Sequence, residues 1–222
     1  MEHISRTLSP ALSAIRQRSP ITPSSTSDWQ PILDAYEPSL AAAVTASRAF
    51  VGEMEAKAPA RWLTLSGQVG CGKTFLARQI FAQAERINPG SHKNSPVWFA
   101  GDSVYKRRRP KCRWHNERAF SSIVRGGDYQ YPYYLGDDYF VCLDDLGSER
   151  DNSAFIAQNL FDLCNARLGK WTLFTTNYTV AELTERIDSR VASRLIRDEN
   201  TFLRIKAGDY ALRPKPTQLP LI

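Results

Sequence analysis

The 222-residue chain has no apolar run near the ~18 residues that a membrane-spanning helix needs, so a soluble, membrane-free protein is expected. Its four cysteines, Cys71, Cys112, Cys142 and Cys164, include no close pair. That argues against zinc ligation and a disulfide frame, and suits the reduced thiols of a cytoplasmic protein. No internal repeat divides the chain. Neither sign of charge dominates: 29 Lys+Arg stand against 23 Asp+Glu, a net +6. This mildly basic balance permits nucleic acid as a partner without demanding it. What is present is ordinary globular material, 42% hydrophobic and 23% charged, enough for one domain with a short extension or at most two small ones.

Residues 1–35 differ from the rest. The stretch "SPITPSSTSDWQP" is rich in Ser, Thr and Pro and reads as unstructured. Before it, Leu8, Leu12 and Ile15 fall at helical spacing. The segment is expected to be a disordered tail, a helix that docks on a partner, or an Arg- and Ser-rich targeting peptide. From Pro38 the pattern becomes regular, and short apolar strands at 61–66, 96–100, 139–147, 171–177 and 201–206 alternate with amphipathic helices. That alternation predicts an α/β fold, a parallel sheet with helices on both faces. Residues 36–213 would form the domain, and 214–222, with Pro214, Pro216 and Pro220, a tail. The stretch "GGDYQYPYYLGD" reads as a loop, its tyrosines as packing residues.

Between the strand "RWLTLS" and the helix "KTFLARQIFAQAERI" lies "GQVGCGKTF" (67–75). It fits G-x-x-x-x-G-K-[ST] at Gly67, Gly72, Lys73 and Thr74, with an extra Gly70. Phosphate oxygens need several N–H donors converging on one point. That requires backbone at positive φ, where a Cβ clashes, and a helix N-terminus behind it. The loop Gly67, Gln68, Val69, Gly70, Cys71 and Gly72, continued by Lys73, Thr74 and Phe75, is therefore the candidate ATP-binding segment. Lys73 can reach the β- and γ-phosphates, and the Thr74 hydroxyl can ligate Mg²⁺.

A nucleotide site of this class needs a second strand that ends in carboxylates. "FVCLDDLGSE" supplies Asp144 and Asp145 where ligands gather in parallel sheets. Asp144 is placed to hold Mg²⁺ and Asp145 to orient or deprotonate the attacking water. "FTTN" puts Asn177 at the end of the next strand, within reach of the γ-phosphate or the water. Further on, Arg186, Arg190, Arg194 and Arg197 share one face if a single helix runs through them. That face is either solvated or supplies an arginine finger to a neighbouring subunit.

These pieces, in this order, resemble a AAA+ ATPase, more narrowly the DnaC/DnaI-type helicase loaders and the related IstB transposition ATPases. The resemblance covers about residues 38–213 and rests on "GQVGCGKT" as Walker A, "VCLDDLGSE" as Walker B, "FTTN" as sensor I and "SRVASRL" as the arginine-finger segment. It implies a five-stranded parallel sheet of the P-loop NTPase type, with ATP and Mg²⁺ bound at a site shared between subunits. It also implies assembly into a ring or spiral on single-stranded DNA, with a hexameric replicative helicase as partner. The finger role maps onto Arg194. The family's sensor II arginine corresponds best to Arg213, in "GDYALRPK". Asp145 stands where many AAA+ proteins have Glu, which implies slow hydrolysis. Only 45 residues follow Asn177 in the 222-residue chain, too few for a last strand and a full C-terminal lid domain.

The stretch "YKRRRPKCRWHNER" (105–118) carries seven Lys/Arg against one Glu, interleaved with Tyr105 and Trp114. Lys106, Arg107, Arg108, Arg109, Lys111 and Arg113 are candidates for single-stranded DNA binding, in which cations neutralise phosphate and aromatics stack on bases. A solvated charge run is the competing reading. Three functions follow: an ATPase that loads or remodels a replicative helicase, an IstB-like transposition regulator on duplex DNA, or a nucleotide-controlled adaptor whose basic loop meets an acidic partner.

Overall fold

The segment Trp62–Gly67 is buried at every position, as a strand covered on both faces must be. A computed structural model describes residues 38–88, 111–148, 154–197, 199–209 and 212. Its elements run α1 (Pro38–Glu55), β1 (Trp62–Gly67), α2 (Lys73–Ile87), β2 (Cys112–Asn116), α3 (Glu117–Arg125) and α4 (Tyr131–Gly136). They continue as β3 (Phe140–Leu146), α5 (Ala154–Ala166), β4 (Trp171–Thr176), α6 (Val180–Arg186), α7 (Ser189–Leu195) and β5 (Thr201–Ile205). The strands form one five-stranded sheet in the order β2-β3-β4-β1-β5. Every neighbouring pair is parallel. The expected five-stranded α/β architecture is therefore present.

Alternation along the strands builds two cores. Phe140, Cys142, Trp171, Leu173, Leu63 and Leu65 point to the face covered by α1 and α2. Val141, Leu143 and Phe174 point to the other, where they meet apolar residues of α3 to α7. In α2, Leu76, Ile80 and Ala84 are buried at helical spacing, as the sequence predicts. Thr179 and Glu182 close a reciprocal capping box at the start of α6. Arg167 sits fully buried just after α5. It donates to the carbonyl oxygens of Leu135 (3.0 Å), Asp138 and Trp171, tying α4, β3 and β4 together.

The structure corrects several local expectations. The sheet's second strand is Cys112–Asn116, inside the basic stretch, while 96–100 lies outside the described residues. A dense charge run hides the period-2 pattern there. Trp114 packs edge-on against Phe81 from one side of β2 (5.6 Å between ring centres), and His115 meets Tyr131 on the other. The "loop" at 126–137 contains the short helix α4, because Pro132 lies in its first turn, where a missing N–H costs nothing. Tyr129, Tyr133 and Tyr134 around it are exposed, although Tyr129 meets the Phe155 ring edge-on at 5.8 Å. The arginine run is not one helix. α6 ends at Arg186 and α7 begins at Ser189, with Asp188 capping it through the Arg190 amide. Arg186 therefore leaves the face that Arg190 and Arg194 share.

Candidate nucleotide site

In a parallel sheet all strands deliver their carboxyl ends to one edge, and here that edge collects the predicted motifs. β1 runs directly into the 67–74 loop, and α2 starts at Lys73. Gly70 (φ 77°) and Gly72 (φ 97°) occupy the left-handed region, which glycine adopts without steric cost. The loop backbone is thus shaped as an anion cradle at a helix N-terminus. Lys73 is 5% exposed, and its ammonium donates to the carbonyl oxygens of Gly67 and Gln68, both at 2.8 Å. It is held folded over the loop it belongs to. Cys71 is buried beneath this turn, and Val69 stands exposed at its tip. Phe75 follows in the first turn of α2 and packs against the α1–α2 core.

β3 brings up the acids. Asp144 is 6% exposed, and its Oδ1 lies 3.2 Å from Thr74 Oγ1. A hydroxyl and a carboxylate, both hard oxygen donors, thus converge at the loop's end. Among the described residues no cluster of three or more His, Cys, Asp or Glu offers an all-protein cage. That sparse donor set fits Mg²⁺, which keeps waters and phosphate oxygens rather than an all-protein cage. Asp145, half-buried, adopts φ 60°, where Asp is among the few side chains found regularly. Burial and then the charge of Asp144 raise its carboxyl from its ordinary value, against the opposing pull of Lys73.

Thr175 on β4, which the sequence reading passed over, links the two acids. Its hydroxyl donates to Asp144 Oδ1 (2.5 Å) and accepts from the Asp145 amide (2.9 Å). The available signal was a polar run, "TTN", closing an otherwise apolar strand. Asn177 follows β4 half-buried, and no side-chain hydrogen bond ties it to either acid among the described residues. Asp209, equally unforeseen, comes against the loop from beyond β5. A Cβ on Gly70 would stand 1.9 Å from its Oδ1. Gln68 Nε2 also donates to the Ala207 carbonyl at 3.0 Å, so the segment after β5 braces the phosphate loop.

Arg194 lies away from this cluster. Its guanidinium covers the Phe161 ring at 4.1 Å and donates to Asn165 Oδ1 (2.7 Å) and the Arg190 carbonyl (3.0 Å). Arg190 covers the same ring and pairs with Asp188 at 2.8 Å. Arg186 donates to the Gly147 carbonyl and covers Tyr178. Of the basic candidates, Arg113 is engaged with buried Asp138 at 2.5 Å, and the Lys111 amide donates to that same carboxylate at 3.2 Å. Lys106 to Arg109 and Arg213 lie outside the described residues, as do residues 1–35.

No protein-family model matches the chain, and no curated protein matches it. Solved structures do. The DnaC helicase loader is 24% identical over 82% of this chain and 100% of its own, with TM-score 0.55. DnaI is 17% identical over 75% of this chain and 83% of its own, with TM-score 0.54. The replication initiator DnaA, bound to AMPPCP and single-stranded DNA, is 14% identical over 79% of this chain, with TM-score 0.58. This chain spans half the length of that DnaA chain (50%). With its glycine loop leading into α2 and its acid-ended third strand, the chain has the α/β P-loop fold of the AAA+ ATPases, in the form found in DnaC, DnaI and DnaA.

Proposed function

We propose that this protein binds ATP with Mg²⁺ and hydrolyses it at interfaces between its own copies, to load or remodel a hexameric replicative helicase on single-stranded DNA. The observation that carries the nucleotide part is the meeting of Thr74 and Asp144 at 3.2 Å, at the mouth of a loop with left-handed glycines. The helicase part leans on likeness of fold to a helicase loader and to an initiator bound to single-stranded DNA.

In this reading the amides of residues 70–74 surround the phosphates, and Lys73 leaves its two loop carbonyls to reach them. Thr74 and Asp144 hold the metal, which neutralises charge on the phosphates. Asp145 accepts the proton of the attacking water. Burial and the neighbouring Asp144 shift its carboxyl upward, which makes it a stronger proton acceptor than a free aspartate. Asn177 orients the water or the γ-phosphate. Arg194, too far from its own chain's acids to hydrogen-bond them, acts in a neighbour's site, and Arg213 serves as sensor II. Lys106 to Arg109 and Lys111 contact the DNA backbone. Arg113 contributes only if it exchanges Asp138 for a phosphate.

Calorimetry with Mg²⁺-ATP tests the base of this reading. The expected result is binding by the wild type and its loss in Lys73→Ala. Absence of heat from folded wild type overturns it. ATP turnover per chain should rise with protein concentration and with single-stranded DNA. A preference for duplex DNA would instead favour a transposition-regulator role.

A further inference from the structure

We propose that Thr175 is a positioning residue, the hydroxyl that holds the Asp144–Asp145 bulge in the shape that binds magnesium-nucleotide. The inference rests on the nucleotide-binding reading and extends it to Thr175, a residue to which that reading gives no role.

Strand parity breaks near the end of β3. Along β3, Phe140 and Cys142 face the α1–α2 core, and Val141 and Leu143 face the opposite one. An uninterrupted strand would turn Leu146 to the first of these. It lies in the second, with Leu143. The pairing shows why. Leu143 is opposite Phe174 and Leu146 opposite Thr176, so three steps on β3 match two on β4. One extra residue has been inserted, which is a β-bulge. Asp145 with φ 60° is where the chain accommodates it.

A bulge leaves ladder groups without strand partners, and a buried amide left unpaired costs about 1–3 kcal/mol. Thr175 meets that need. It is fully buried, and β4 is the strand between β1 and β3. Its oxygen accepts the Asp145 amide and its proton goes to Asp144 Oδ1. One hydroxyl therefore fixes the backbone of one acid and the carboxylate of the other. Asp144 in turn faces Thr74. Valine would fill the same volume and supply neither bond; serine would supply both. Outer partners of metal ligands commonly contribute 10–100-fold to metal affinity, which is the effect expected here.

Wild type, Thr175→Val and Thr175→Ser are compared for affinity to a fluorescent ATP analogue with Mg²⁺ and with EDTA. The gain in affinity on adding Mg²⁺ should fall about tenfold or more in Thr175→Val and return in Thr175→Ser, with EDTA affinities unchanged. An undiminished gain in Thr175→Val overturns the proposal. Amide exchange at Asp145, followed by NMR in the same proteins, requires no nucleotide. Protection in wild type and serine but not valine supports the proposal; an unprotected amide in folded wild type overturns it, even where Thr175→Val does not fold. Should wild type bind no nucleotide, the functional reading falls, and amide exchange alone decides whether Thr175 holds the bulge.

Discussion

The guanidinium of Arg194 lies 4.1 Å from the centre of the Phe161 ring, with Asn165 accepting from its edge. The cation is thus held in place on its own chain, which would limit the rotamer freedom lost in the proposed insertion into a neighbour's site. Arg194→Ala should abolish most ATP turnover and leave nucleotide affinity near wild type. Asp145→Asn should be inactive for a different reason. An equal mixture of the two inactive variants should recover activity, because about a quarter of random interfaces pair an intact acid with an intact finger. No recovery, under conditions where wild type assembles, would argue against a shared site.

Gly70 cannot accept a side chain without rearrangement. Its φ is 77°, and a Cβ would stand 1.9 Å from Asp209 Oδ1. Gly70→Ala should lose about 1–2 kcal/mol of stability in urea unfolding from backbone strain alone. Combining it with Asp209→Ala should relieve the part due to the clash and leave the strain. Strict additivity of the two changes would show that the contact carries no energy.

His115 is pushed down to about 4, first by burial and then by the charge of Arg113. The neutral ring is the form that accepts the Tyr131 hydroxyl at 2.7 Å. The unfolded chain titrates at the ordinary value near 6.5, so it binds more protons between the two values. Stability from this group is complete above about pH 6.5 and is lost as pH falls through about 4, by up to about 3 kcal/mol. Urea unfolding across pH 4–7 should show this slope, and His115→Gln should flatten it.

Asp145 has the opposite sign. Its carboxyl is raised by burial and by Asp144, so the folded state holds the proton more tightly than the unfolded state. Stability is then greatest below the unfolded value and declines as pH rises through the folded one. Asp145→Asn removes that loss and keeps a side chain tolerant of φ 60°. Its melting temperature should exceed wild type at neutral pH by about 1–2 °C, small because solvent screens a half-buried group. The difference should vanish in acid. The same substitution should end ATP turnover.

Arg167 is buried with its guanidinium spent on backbone carbonyls. Burial lowers its pKa to about 10, opposed mainly by Asp138, so it stays charged at neutral pH. Arg167→Met should cost about 3 kcal/mol or more, because it orphans several buried acceptors at once. Urea unfolding checks this. Nucleotide affinity of the remaining folded fraction should be unchanged.

What the sequence determined by itself was whatever depends on neighbours along the chain. Strand 62–67, the glycine loop, the helix from Lys73 and the capping box at Thr179 each follow from local pattern, and so they were legible. The acids on β3 were legible as well, because an apolar run ending in carboxylates needs no partner to be seen. Tertiary structure alone decided the rest. Cys112–Asn116 is a strand because β3 offers it a ladder and Asp138 absorbs the charge of Arg113. Thr175 meets Asp144 only because β4 pairs with β3, and Asp209 reaches Gly70 only because β5 pairs with β1. Periodicity reports which face a residue takes. It carries no information on which distant segment waits there, since pairing energies are settled only once the whole sheet has assembled.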